Sequence, residues 1–183
     1  IRFIKNVSGM WLLEESLRYW KSQGLVLIAA DLARHASVLT RKQIIDTNDP
    51  RFAKPGAMPE RIAEYCRETG QEVPATPAEF ARCIFDSLAH AYAQSLRELE
   101  DAANVKVREI NIVGGGSSNE LLNQLTADAT GLTVIAGPVE ATVLGNLIIQ
   151  MMSAGWIDSL EAGRTLIAES SDRKTFQPRT VRS

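Results

Sequence analysis

Three consecutive glycines, Gly114, Gly115 and Gly116, followed by Ser117, Ser118 and Asn119, stand between an apolar run from Val107 to Val113 and a renewed helical pattern. Backbone without Cβ atoms can lie close to a ligand, and the N–H groups that open a helix offer unpaired donors and a positive dipole end to an anion. The chemistry this spacing supports is the cradling of a nucleotide. An ordinary tight turn between strand and helix would use the same glycines, so both readings are open at this point. Two familiar glycine fingerprints do not fit. No Gly-Lys-Ser/Thr follows, so the P-loop's lysine and magnesium-binding hydroxyl are missing, and Asn119 stands where a dinucleotide fold wants its third glycine.

Other chemistry-bearing residues read as structural. His35 and His90 fall within helical patterns without an Asp, Cys and Ser constellation beside them, which suits helix-surface or satisfied core histidines and assembles no triad. Cys66 and Cys83 are too few and too far apart for a zinc site. They are expected to be two buried thiols on neighbouring helices, with a disulfide as the alternative if those helices pack antiparallel. Asp128 and Glu140 suit a helix face and a helix N-terminus, and Trp11 and Trp20 are expected to anchor the core.

The elements that must hold the glycine turn are mostly helices. Met10, Leu13, Leu17 and Trp20 recur at spacings of three and four and predict a helix ending near Gly24, and Leu25 to Ala36 predicts another. Ile44 and Ile45 suggest a short strand before the turn at Asp46 to Pro50. Pro55 and Pro59 bracket the approach to a helix that stops at Gly70. Thr76, Pro77 and Glu79 supply an N-cap, a first-turn proline and a capping-box acid. The long helix they open keeps Phe80, Ile84, Leu88, Ala91, Ser95 and Leu99 on one stripe and ends near Asn104. Val107 to Val113 reads as a strand, Glu120 to Thr130 as a helix capped by Gly131, and Thr133 to Ala136 as a second strand, which together make a parallel βαβ unit. Glu140 to Ala154 predicts the next helix, and Asp158 with Glu161 caps a last one to about Ser170. The tail from Ser171 is polar and expected to be loose.

The length of 183 residues suggests one domain with a sizeable core. Twenty basic against 22 acidic residues give a net charge of −2, which offers no footprint for nucleic acid or an anionic membrane. No apolar run reaches the roughly 18 residues that span a bilayer, and no charged-then-apolar leader opens the sequence, so a cytoplasmic setting is expected.

The segment from Ile110 through the glycines to Asn146 resembles the adenosine-binding segment of FGGY-type carbohydrate kinases, most of all their L-rhamnulose kinase branch. Lys5, Asn6, Gly9 and Trp11 to Leu13 are similar to that branch's KN-x-x-G-x-W-L-L segment. So are Asn48 to Phe52, Cys66 to Gln71 and Ala81 to Ala89, in the same order along the chain. The resemblance implies a helix-rich α/β fold, a truncated ribonuclease-H-like ATPase domain of the actin and hexokinase type with a short parallel βαβ unit. Residues 1–183 would then be the C-terminal nucleotide-binding domain, lacking its first strands and the whole N-terminal sugar-binding domain. The implied activity of the parent enzyme is transfer of the ATP γ-phosphoryl group to the 1-hydroxyl of L-rhamnulose with Mg²⁺, a related ketose being the alternative sugar. The family's catalytic aspartate and Gly-Thr phosphate loop have no match here, so the chain by itself is expected to be inactive.

By the same resemblance Gly115 is the position whose backbone approaches the nucleotide, with Gly114, Gly116 and Ser117 shaping the turn. Asn119 would meet the adenine edge or cap the next helix. Asn6 matches a nucleotide-site position. Glu14 falls where the pattern carries glutamine, and a glutamate there cannot donate a hydrogen bond and brings negative charge near phosphates. A non-catalytic interaction module of the same fold is the rival reading. The missing first strand would leave one sheet edge open to another chain.

Overall fold

A 27-residue helix organises the chain in the computed structural model, which describes residues 4–40 and 42–179. Helix α1 spans Trp11–Ser22, α2 Ala29–Ser37, α3 Met58–Glu68 and the long α4 Pro77–Ala103. Thr76 Oγ1 accepts from the Glu79 N–H while the Glu79 carboxylate accepts from the Thr76 N–H, so the capping box read from the sequence forms in full. The far end stops at Asn104 in the left-handed region. Along its length Ile84, Phe85 and Leu88 bury against Leu12, Leu13 and Trp20 of α1, Met58 and Ile62 of α3, and Leu122 and Leu125 of a later helix.

Beyond α4 the chain runs β1 (Glu109–Ile112), a 3₁₀ turn over Gly115–Ser118, α5 (Glu120–Thr130) and β2 (Thr133–Ala136), then α6 (Ala141–Ser153), α7 (Leu160–Ser170) and β3 (Lys174–Phe176). β1 and β2 pair in parallel, from Glu109 beside Thr133 to Ile112 beside Ala136, with α5 as the crossover. This is the expected βαβ unit. The sheet order is β1-β2-β3, so β1 is an edge strand among the described residues. No helix among those residues is long and apolar enough to cross a membrane.

Several expectations need correction. The described part of the tail, to residue 179, is not loose, because Lys174–Phe176 pairs antiparallel with β2. Side chains of α5 hold it there: Gln124 Nε2 donates to the Gln177 carbonyl at 2.8 Å, and Asp128 accepts from both the backbone and the guanidinium of Arg179. Ile44 and Ile45 form no strand. Gln71 takes the place of a neighbouring strand, accepting from the Ile44 N–H and donating to its carbonyl at 2.8 Å each, and Ser87 Oγ accepts from the Ile45 N–H at 3.0 Å. α2 starts at Ala29, since Ile28 is extended. Ser159 and not Asp158 caps α7. Trp20 lies in the core, but Trp11 is 37% exposed, held by its Nε1 donating to the Phe52 carbonyl at 3.1 Å. Glu140 precedes α6 without a capping bond from its side chain.

Cys66 on α3 and Cys83 on α4 are free and buried, as the first of the two sequence readings has it. A hydrogen bond links the two, the Cys83 thiol donating to Cys66. That bond and burial push the Cys83 thiol far above its usual range, while the same bond draws Cys66 down.

Candidate functional site

The glycine turn is built by bonds that close it from three sides. The Gly114 N–H donates to the Pro138 carbonyl at 3.0 Å, tying the end of β1 to the loop after β2. The backbone N–H and Oγ of Ser117 both donate to the Gly114 carbonyl, at 3.0 and 2.7 Å. The Asn119 N–H donates to the Gly116 carbonyl, and its Oδ1 accepts from the Leu122 N–H at 3.0 Å. Asn119 is thus the N-cap of α5, one of the two roles open to it from sequence. This capping also bears on the first reading of the turn as a phosphate cradle, because a donor at the α5 N-terminus is spent on Asn119 itself.

The three glycines do different things. Gly114 has a φ of +77°, a conformation that favours glycine, so its identity follows from the backbone alone. Gly115 has no such need, and a Cβ built on it meets nothing within 4 Å. At Gly116 a Cβ would make only ordinary contact, 3.9 Å from Ile112 Cγ2. Neither Gly115 nor Gly116 donates its N–H to an acceptor among the described residues.

Gly115 and Gly116 form one wall of a cavity of about 510 Å³. Gly9, Met10, Leu13, Glu14 and Leu17 from the start of α1 face them, Ile112, Leu122 and Asn123 flank the turn, and Ala29 and Tyr92 complete the lining. The lining is largely apolar. Burial pushes the Tyr92 phenol up, so it stays protonated and able to donate at neutral pH. Among the described residues, Glu14 is the one charged member of the lining, with no lysine or arginine beside it. Such a chamber suits a flat, mostly apolar group with a few polar edges, and it suits a phosphate chain poorly. The purine and sugar of a nucleotide match the first description.

Of the sequence-predicted residues the structure therefore gathers Gly115, Gly116 and Glu14 on one cavity, with Gly114, Ser117 and Asn119 behind it as the frame of the turn. Asn6 is exposed and not part of the lining, and the neighbouring Lys5 pairs with Glu98 of α4. Asn123 escaped the sequence reading. Its place four residues after the N-cap, on the same helix face, was the available signal. The apolar faces of Met10, Leu13 and Leu17 were legible as helix but not as cavity wall. Among the described residues no group of three or more His, Cys, Asp or Glu side chains could hold a metal ion.

Residues 1–154 match the C-terminal domain of the FGGY family of carbohydrate kinases. The chain is 43% identical over 175 residues to a rhamnulokinase of Halalkalibacterium halodurans, covering 96% of this chain and 37% of that protein. It is 43% identical over 180 residues to one from Oceanobacillus iheyensis, and 44% identical over 185 residues to one from Enterococcus faecalis. It covers 38% and 37% of those proteins, so it spans little more than a third of the length of the curated relatives it matches. Among solved structures, Plasmodium falciparum glycerol kinase with ADP superimposes with a TM-score of 0.62 at 13% identity, over 91% of this chain and 33% of that one. Xylulose kinase from Rhodospirillum rubrum gives 0.61 at 16% identity, over 96% and 34%. These likenesses establish the actin and hexokinase type of fold. With a turn, a crossover and a domain match that agree, the chain belongs to the FGGY family of carbohydrate kinases, as a counterpart of its C-terminal domain.

Proposed function

We propose that this chain is the nucleotide-binding part of an ATP-dependent sugar kinase that phosphorylates the 1-hydroxyl of L-rhamnulose, the rest of the enzyme supplying the sugar site and the base. The observation that carries the reading is Gly115: nothing in its own backbone or surroundings demands a glycine, yet it lines an apolar cavity of nucleoside size. A ligand approaching the turn does demand one. The nucleoside would lie between the turn and α1, with Gly115 and Gly116 offering their free N–H groups and Glu14 on the same lining. The phosphates and their Mg²⁺ would extend beyond the lining, toward groups outside this chain.

In such a division of labour the chain performs no proton transfer. It fixes one end of the nucleotide, so that the γ-phosphorus is held in line with an attacking hydroxyl, and positioning of this kind supplies a large share of phosphoryl-transfer catalysis. The sugar specificity rests on the likeness to rhamnulokinases and on no residue of the cavity.

The test is calorimetric titration of Mg·ADP into the chain and into its Gly115→Val variant. Because the new side chain meets open space, the variant should keep its melting temperature within about 3 °C, equivalent to less than roughly 1 kcal/mol, and lose at least tenfold in affinity. Equal binding by both proteins would remove the glycine argument. A full-length enzyme that phosphorylates another ketose in preference to L-rhamnulose would remove the sugar assignment alone. A well-folded chain that ignores nucleotide would favour the interaction-module reading, in which the carboxylate of Glu14 repels phosphates from the cavity.

A further inference from the structure

Resting on the nucleotide reading above, we infer that Asn123 is a positioning residue for the nucleotide, acting through the glycine turn. Asn123 is fully buried on α5 and belongs to the same cavity lining as Gly115 and Gly116. Its Nδ2 donates to the Ser117 carbonyl at 2.9 Å, reaching across the α5 N-terminus into the 3₁₀ turn. Its Oδ1 is buried and has no partner among the described residues.

A carboxamide half satisfied in the interior is an expensive choice. Leucine has nearly the same shape and no side-chain acceptor to orphan. The bond to Ser117 is what leucine could not supply. Within the turn, Ser117 is already tied to the Gly114 carbonyl by its N–H and its hydroxyl, so fixing the Ser117 carbonyl from below closes a frame around Gly115 and Gly116. Those two residues have free N–H groups and would otherwise be the most mobile part of the turn. Asn123 holds them in one arrangement before the ligand arrives, which lowers the ordering cost of binding.

The test compares the wild-type chain with Asn123→Leu and Asn123→Asp by Mg·ADP calorimetry, thermal unfolding and amide hydrogen exchange. Asn123→Leu removes the orphaned acceptor but leaves the Ser117 carbonyl without its donor, so the two effects offset and it is expected to melt within about 4 °C of wild type. Its amides at Ser117 and Asn119, the hydrogen-bonded ones of the turn, should exchange at least tenfold faster while those of the α5 core are unchanged, and its nucleotide affinity should fall about tenfold. Asn123→Asp keeps the size and sets an acceptor against the Ser117 carbonyl, so its loss of affinity should be larger. A folded Asn123→Leu that binds Mg·ADP as wild type does, with unchanged exchange at the turn, overturns the inference and leaves the nucleotide reading intact. Collapse of both variants would assign Asn123 a purely structural part and overturn it as well. A wild-type chain that binds no nucleotide overturns both readings.

Discussion

Glu14 and Glu15 are neighbours with opposite fates. Glu14 is exposed on the cavity lining, whereas Glu15 is fully buried, its Oε2 accepting from the Gly56 N–H at 3.0 Å and its Oε1 from Arg18. Glu15→Ala should therefore destabilise the chain by about 1–3 kcal/mol in urea unfolding, since the hydrogen bonds that Gly56 and Arg18 give to a charged group are lost. Glu14→Gln should leave stability within about 0.5 kcal/mol and tighten Mg·ADP several-fold in calorimetry, because it removes a negative charge beside the nucleotide. An unchanged affinity would place Glu14 outside the site. At this scale the sequence was readable where chemistry and local geometry coincide. Gly115 stood out because glycine between strand and helix has few meanings. Asn123 did not, since an asparagine within a helix looks like any solvated position, and only its tertiary setting separates it from Gln124 one residue on.

Elements specified by their own residues were the ones legible in advance. The Thr76 to Glu79 capping box, the left-handed stop at Asn104 and Gly131 at the end of α5 each carry their instruction locally. β3 does not, because three residues of a polar tail become a strand only through α5 side chains distant in sequence. Asp128 is the main clamp. Burial alone would raise its pKa, but the hydrogen bonds from the Arg179 guanidinium and backbone outweigh that and hold it below the ordinary carboxylate value. A depressed folded-state pKa stabilises above the unfolded value, near pH 4, and the benefit fades as pH falls through the lower folded one. Amide protection at Lys174–Phe176, taken relative to the intrinsic exchange rate, should accordingly fall below about pH 4, and Asp128→Asn should show the lower protection at neutral pH. The α6–α7 pair offers a second element-scale check. A methyl group on Gly163 would collide with Ile148 Cγ2 and come within 3.2 Å of its Cδ1. Gly163→Ala should cost about 1–3 kcal/mol, and adding Ile148→Ala should recover part of that in a double-mutant cycle, which independent effects would not do.

Across the whole molecule, the sheet and the helical body are finished to different degrees. The helical core closes around α4, while among the described residues β1 pairs on one side only and α6 leaves Val143, Leu147 and Ile149 exposed. A strand with a free row of backbone groups recruits other chains. Sedimentation of the isolated chain should show association that grows with concentration, and Asn111→Lys, which charges the middle of that edge, should weaken it. Monomeric behaviour at high concentration would show the edge to be protected already. The open edge was foreseeable from the family resemblance, but the exposed apolar side of α6 was not, because an apolar helix reads the same whether or not a neighbour covers it.

The cavity walls come from segments far apart in the chain, from Gly9 at the entry to α1 through Tyr92 on α4 to Asn123 on α5. No unfolded or partly folded form could assemble them. A nucleotide that occupies this chamber would therefore bind the native state alone, and mass action would turn its affinity into heat resistance, about 2.7 kcal/mol when the ligand is present at one hundred times its dissociation constant. The melting temperature of the chain would then rank nucleotides against one another without any sugar, any turnover or the remainder of the enzyme.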